Sequence, residues 1–365
     1  MFCITLELPY AAYWILVHPI QCTGLGGHPA LCLPPNVTDR ANGSNVKSRH
    51  ISQWIKDFLD QHPTRANSLI ITIYGDFIAP HGGTVWLGSF IRLVQPLGLN
   101  ERMVRTSVYR LSQEKWLVSE QLGRKSFYSL TTSGRRRFEH AYRRIYFVPQ
   151  DTWSGEWQLV LIPASLVGTQ RDTLRKELAW AGYGALASGI LAHPSADTEA
   201  LLDILQETGA HDKVVAMKAA NISALTSKPL QELVHECWNL DVLAAKYLDF
   251  IELFRPVLRT LRAASRLDPE QCFLVQTLLM HDFRRALLHD PQLPSQLLPA
   301  NWSGGIARQL CEDLYRITCP LAQRHLLSVC ETASGPLPPA APYFYERFGG
   351  LQLPATGSNT SDARI

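Results

Sequence analysis

The sequence predicts an α+β chain in three parts: an N-terminal winged helix-turn-helix, a central ferredoxin-like domain and an all-helical C-terminal domain. Three observations carry that prediction. A short capped helix followed by a two-strand hairpin occupies residues 100–130. Strand and helix signals alternate from Trp157 to Trp238. From Asp241 onward the apolar residues recur at helical spacing throughout.

In the N-terminal part, Ile51, Trp54, Ile55, Phe58 and Leu59 mark a helix that Pro63 breaks. Asn67 or Ser68 caps the next helix, which runs through Ile78 and stops before Pro80. His81-Gly82-Gly83 is a loop, and Val85 to Val94 reads as a further helix. After the turn Leu97-Gly98-Leu99, Asn100 caps a helix whose apolar stripe is Met103, Val104, Val108 and Leu111. Arg102, Arg105, Thr106, Tyr109 and Arg110 fall on the other face, with Arg110 also within reach of Glu101 or Glu114 as an ion pair. Trp116-Leu117-Val118 and Phe127-Tyr128-Ser129-Leu130 are strands, joined by a polar turn that carries Arg124 and Lys125. A helix that buries one side and presents arginines, a threonine and a tyrosine on the other suits a DNA major groove, and a basic hairpin tip beside it suits phosphates or the minor groove. Arg102 and Arg105 are the expected base readers, with Thr106 and Tyr109 as helpers.

Charge supports this reading. Residues 92–144 hold twelve Lys or Arg against four Asp or Glu, whereas the whole chain is only +3. A basic module within an otherwise acidic chain is an electrostatic footprint for nucleic acid. Winged helices also serve as protein-interaction modules, and that alternative stays open. The helix Thr132 to Tyr146 carries Arg135, Arg136, Arg137, Arg143 and Arg144 over Phe138, Ala141 and Ile145. It serves equally as a DNA-backbone contact or as a solvated link to the next domain.

In the central part the sequence reads strand (157–162), helix (169–180), strand (183–191), helix (197–208), strand (214–218) and helix (230–238). This order is compatible with a small ferredoxin-like sheet, which commonly pairs in homodimers. In the C-terminal part helices are expected at 242–267, 270–289, 304–319 and 320–333, separated by prolines and the Asn301-Trp302-Ser303-Gly304-Gly305 turn. The predicted organisation is a leader at 1–45, the winged helix at 46–148, the central domain at 149–229, the helical domain at 230–335 and a Pro/Gly/Ser-rich tail at 336–365.

The chain has 365 residues, 46% hydrophobic and 18% charged, enough for two or three globular domains. Its eight cysteines form no CxxC pair and read as reduced thiols rather than disulfides or a metal site. The apolar stretch Ala11 to Val17 is too short for a membrane span and makes a poor signal peptide, so no membrane partner is expected. Residues 1–45 look foreign to the rest. With no Met between Met1 and Met103, the reading is a start placed too far upstream, with Val46 a candidate non-ATG start. His81-Gly82-Gly83 has no GxSxG elbow after it, and Walker, GxGxxG and HExxH motifs are missing, so neither an enzyme nor a cofactor or metal is expected.

The stretch Tyr74-Gly75-Asp76-Phe77-Ile78-Ala79-Pro80-His81-Gly82-Gly83 and the segments Val85 to Ser89, Asn100 to Leu111 and Ser133 to Glu139 resemble the PaaX family of phenylacetic-acid catabolism repressors. So do His281-Asp282-Phe283-Arg284-Arg285, Asp290 to Pro294 and Leu298 to Trp302. The resemblance implies a cytoplasmic bacterial repressor with a Cas2-like central domain. It also implies binding of double-stranded promoter DNA as a homodimer, and release by phenylacetyl-CoA. An acyl-CoA site needs cations and an apolar slot. His281, Arg284 and Arg285 share a face at i, i+3 and i+4 spacing, and Trp302 or Tyr247 would line the apolar part. A buried polar network that holds the helical domain is the competing reading of His281, Asp282 and the two arginines. An acyl-CoA-binding enzyme that does not bind DNA is the other alternative. A nuclease of the Cas2 type would need strand-end carboxylates, which residues 157–162 do not supply.

Overall fold

The computed structural model describes residues 47–147, 153–222, 225, 227–288 and 290–351. The expectations for the leader, for Val46 as a start, for residues 149–152 of the linker and for the end of the tail lie outside the described residues.

The first helix, α1 (Arg49–Gln61), starts where the Ser48 hydroxyl accepts from the Ile51 amide, and it buries Ile51, Ile55 and Phe58. Helix α2 (Ala66–Ile73) widens into a π turn at Tyr74–Ile78 and tightens into a 3-10 turn at Ala79–His81. The π turn directs Asp76 inward. Thr84–Trp86 is a strand, β1, and only Leu87–Val94 is helical, as α3. The single helix expected from Val85 is thus divided. The β-prone trio Thr84-Val85-Trp86 pairs with Ser129, Tyr128 and Phe127, and that long-range pairing overrides the local helical pattern.

Helix α4 (Glu101–Gln113) leads into strands β2 (Leu117–Leu122) and β3 (Lys125–Leu130), which form a three-stranded sheet of order β1-β3-β2. The hairpin closes on a two-residue turn, Gly123-Arg124, with Gly123 at φ +60. Helix α5 (Thr132–Tyr146) follows at once. A Cβ on Gly134 would meet the Trp116 carbonyl oxygen at 2.3 Å, so only glycine lets α5 start against the root of β2.

The central part runs β4 (Glu156–Leu161), α6 (Gly168–Trp180), β5 (Gly184–Ala187), β6 (Ile190–His193), α7 (Thr198–Glu207) and β7 (Val215–Ala220). The stretch 183–191 is a hairpin rather than one strand: it reverses at Gly189, φ +87, a conformation open to glycine. This supplies the fourth strand. The order β5-β6-β4-β7, antiparallel throughout, is the βαββαβ ferredoxin-like arrangement. Period-2 alternation divides the sheet. Val160, Ile162 and Leu191 pack on Leu174, Leu178, Leu201 and Leu205 of α6 and α7. Trp157 and Ala192 face Val234, Trp238, Leu293 and Leu297.

Four helices complete the chain: α8 (Leu230–Cys237), α9 (Leu240–Ala263), α10 (Pro269–Leu287) and α11 (Ser303–Val329). Two helices were expected where α11 runs unbroken through Pro320. Its buried face, from Ala307 to Leu326, packs along α10, and that packing outweighs the one hydrogen bond the proline removes. Helix α10 packs against α1, α2, α5, α9 and α11 and is buried on nearly every side. The N-terminal part and the helical part therefore share one core, and the described residues from Lys47 onward form one compact unit.

Short strands β8 (Glu331–Thr332) and β9 (Gly335–Pro336) and a 3-10 segment, Pro342–Gly349, follow α11. The expected Pro/Gly/Ser-rich tail is packed into the molecule as far as residue 351. Phe344, Arg347 and Phe348 are buried, because aromatic neighbours and a buried carboxylate receive them.

Candidate nucleic-acid interface

Helix α4 is set by Asn100, whose side chain accepts from the Met103 amide at 2.9 Å. Val104, Ser107, Val108 and Leu111 form its buried stripe. Met103, expected in that stripe, is 38% exposed; it sits one residue off the 104-107-108-111 row, and Ser107 takes the inner place. All five predicted groove residues, Arg102, Arg105, Thr106, Tyr109 and Arg110, are exposed. Arg105 is drawn to Glu101 one turn back, at 2.7 Å, so the anticipated Glu101–Arg110 pair does not form. An exposed i,i+4 pair of this kind is worth only about 0.3–0.5 kcal/mol and yields readily to a phosphate or base. Arg110 lies near Glu114, whose carboxyl burial pushes above the usual range while Arg137 and Arg110 draw it back.

At the hairpin tip Arg124 is exposed. Lys125 is folded back over the Trp86 ring at 4.1 Å and lies 3.4 Å from Glu331. Arg92 approaches the same carboxylate at 3.7 Å and the same ring at 5.1 Å. A carboxylate from beyond α11 thus sits between Lys125 of the hairpin and Arg92 of α3. Along α5, Arg135, Arg136 and Arg143 are exposed. Arg137 is structural: it donates to the Glu114 carbonyl and lies 4.7 Å over Trp116. Arg144 is too, donating to the Asp290 carbonyl. Only part of the predicted basic face is therefore open to a phosphate.

The four residues expected to hold an effector are split. His281 and Arg284 are buried. The Thr72 hydroxyl donates to the Ser68 carbonyl at 3.0 Å and so accepts from His281 Nδ1 at 3.3 Å. Burial, then Arg284 and Arg285, lower the His281 pKa to about 3. Arg284 reaches the Ser68 carbonyl at 3.5 Å, and burial lowers its pKa to about 10. Arg285 turns outward to Asp282 at 3.4 Å. Trp302 stands apart beside Tyr247, against the core behind the central sheet. Tyr247 itself donates to Asp290. The structure thus joins His281 and Arg284 and separates Arg285 and Trp302 from them.

Next to Arg284 is a cleft among α2, α5 and α10, lined by Phe138, Ala141, Tyr142, Ile145, Met280 and Arg284 with Asp76 behind. Asp76 is an anchor of the fold that sequence reasoning missed. Arg347 donates to it at 2.8 Å, as do Gln276 at 2.8 Å, Tyr315 at 2.9 Å and Tyr146 at 2.5 Å. His81, from the same glycine-rich stretch, bridges the Pro338 carbonyl and the Gln323 side chain. Both residues tie down the C-terminal segment. A carboxylate inside the apolar run 69–78 was the available signal, since a buried charge demands a partner.

Comparison with known proteins agrees with this architecture. Residues 65–134 match the family model for PaaX-like protein, residues 150–233 that for the PaaX protein central Cas2-like domain, and residues 238–328 that for the PaaX-like protein C-terminal domain. The chain is 40% identical over 304 residues to the transcriptional repressor PaaX of Escherichia coli (strain K12), which spans 83% of this chain and 96% of that protein. The chain belongs to the PaaX family. The PaaX-like matches cover α2 through the start of α5, the whole ferredoxin-like sheet, and α9 through α11. A solved structure, the uncharacterized protein Rv0674 from Mycobacterium tuberculosis, is 22% identical, covers 76% of this chain and 97% of its own, and superposes with a TM-score of 0.41. Among the described residues no helix is long and apolar enough to cross a membrane.

Proposed function

We propose that this PaaX-family chain is a cytoplasmic transcriptional repressor of phenylacetate catabolism genes. It binds double-stranded promoter DNA as a homodimer and leaves it on binding an aryl-CoA thioester such as phenylacetyl-CoA. The observation that carries the reading is the face of α4: Arg102, Arg105, Thr106, Tyr109 and Arg110 are all exposed, on a helix whose opposite side is locked into the core. With the β2–β3 hairpin beside it, α4 is the recognition helix of a winged helix-turn-helix. An arginine reading a guanine edge in two hydrogen bonds contributes about 1–3 kcal/mol of discrimination. Arg124 and the exposed arginines of α5 supply phosphate contacts, which carry salt-dependent affinity. The name of the E. coli relative supports repression. The β7 edge of the central sheet, where Val215 and Met217 are 56% and 42% exposed, is the surface assigned to the second copy.

A mobility-shift titration tests this reading, with the purified protein, its own upstream promoter DNA and a scrambled duplex at fixed salt. Specific retardation of the promoter that phenylacetyl-CoA abolishes is the expected result. No preference for the promoter over the scrambled duplex would sink the DNA-reading assignment and leave a protein-interaction module.

A further inference from the structure

One face of α9 is open to solvent along most of its length. Ala245, Leu248, Glu252, Arg255, Arg259 and Arg262 recur at alternating steps of three and four, and all six are exposed. Leu248 is 57% exposed. The spacing averages 3.5 residues, so the row runs straight along the helix as a coiled-coil seam does. Its span is about 26 Å at 1.5 Å per residue.

The face is sorted by charge. The exposed acids of α9, Asp241, Asp249 and Glu252, all precede residue 253, and its exposed bases, Arg255, Arg259 and Arg262, all follow it. Lys246, in the acidic half, is only half-exposed. The helix macrodipole favours this polarity, but only within the first and last turns. Glu252 and Arg255 stand in the middle of a 24-residue helix. Among the described residues, of the six in the row only Arg262 is in an ion pair, with Asp313 of α11 at 2.8 Å.

The row is its own complement. Reversed about a point between Glu252 and Arg255, it sets Glu252 against the Arg255 of a second copy and Arg255 against that copy's Glu252. In the same register Leu248 falls opposite the alkyl stem of Arg259, and Ala245 leaves room for Arg262. Asp241 falls opposite Arg266, which lies just past the helix end. Both copies make the same contacts, so the pairing is isologous and closes on itself.

We propose that the exposed face of α9 is a self-association surface, on which a second copy of this chain lays its own α9 antiparallel. Charge complementarity selects that occupant: a duplex or an acidic segment would meet Asp249 and Glu252 as well as the arginines. The surface is separate from the β7 edge. A chain with two isologous surfaces dimerises through one and joins dimers through the other. A single helix pair with exposed ion pairs is a small interface, so the contact is weak, concentration-dependent and sensitive to salt. Given the DNA reading above, two sites on one duplex raise the local concentration, and the contact makes their occupancy cooperative.

Sedimentation equilibrium of the full chain tests this between about 0.05 and 0.5 M salt, a range over which exposed charges become screened. The wild type is expected to show an association that weakens as salt rises. Glu252→Arg and Arg255→Glu each set like charges opposite one another, and each is expected to weaken that association at least about tenfold. Both positions are exposed, so the variants are expected to keep the wild-type circular dichroism and melting temperature. Mixed in equal amounts, the two variants regain opposite charges at both central contacts and are expected to associate as the wild type does. Both substitutions in one chain are expected to restore self-association likewise. A merely solvated face gives no such rescue. Wild-type association in each single variant, or no recovery on mixing, overturns the surface, as does a wild type whose association state ignores salt and concentration. A duplex with one operator is expected to bind each variant within about twofold of wild type. Failure of the wild type itself to bind that duplex overturns the DNA reading and the cooperativity, while the sedimentation result alone decides the pairing.

Discussion

Arg347 donates to Asp76 at 2.8 Å across 271 residues of chain, and both side chains are out of water. Tyr146, Tyr315 and Gln276 donate to the same carboxylate, and the guanidinium lies 4.2 Å over the Tyr146 ring. The π turn, α5, α10, α11 and the C-terminal segment thus meet at one buried polar knot.

Removing one partner of this pair strands a buried charge. Arg347→Met is expected to destabilise the fold by about 3–5 kcal/mol, as is Asp76→Asn with Arg347 retained. The double variant is expected to recover part of that loss. Urea unfolding of the three proteins checks this, and strictly additive losses would show that the two groups are not coupled.

Glu331 holds Lys125 and Arg92 near the hairpin. Glu331→Gln releases both cations and removes a negative charge that DNA must approach. The expected outcome is tighter promoter binding, by roughly two- to tenfold at low salt, with a steeper dependence on salt. Binding unchanged across a salt series would mean that the hairpin cations do not reach phosphates.

Arg102 and Arg124 have different expected signatures. Arg102→Ala is expected to cost about 1–3 kcal/mol on the promoter and to relax preference at one base position. Arg124→Ala is expected to weaken all duplexes alike and to reduce the salt slope by about 1. Competition against single-base-substituted promoters separates the two.

Two buried histidines make stability depend on pH. Burial, followed by nearby arginines, holds His281 at about 3; for His193 burial lowers the pKa to about 4, against the hydrogen bond to the Pro291 carbonyl. Both sit below the ordinary histidine value near 6.5. Between about pH 6.5 and pH 4 the unfolded chain takes up protons that the native fold refuses. Their neutral forms therefore contribute fully above about pH 6.5, and stability falls as pH drops through that window. Urea midpoints at about pH 7, 6 and 5 should decline accordingly, and His281→Asn should flatten the decline. Equal slopes for both proteins would refute the assignment to His281.

Much of the fold is legible in local patterns. The Asn100 cap, the stripe at Val104, Val108 and Leu111 and the outward row of Arg102, Arg105, Thr106, Tyr109 and Arg110 need only a 3.6-residue period, and each is found in place. Local pattern failed where distant pairing decided the outcome. Val85 joined a strand because Tyr128 was opposite it, and Pro320 stayed within α11 because α10 lay alongside. His281, Arg284 and Arg285 do share a helix, but i+3 and i+4 spacing does not say which of them the neighbouring α2 will bury.

By itself, the sequence determined most of the order of the elements and the basic helix with its hairpin, because caps, turns and periodicity act over a few residues. Only the tertiary structure decided that Asp76 meets Arg347, that α10 is a core shared by the N-terminal and helical parts, and that a cleft opens beside Arg284. Those facts come from surfaces far apart in the chain finding one another. A buried charge announces that it needs a partner, but the partner's identity is written in the packing.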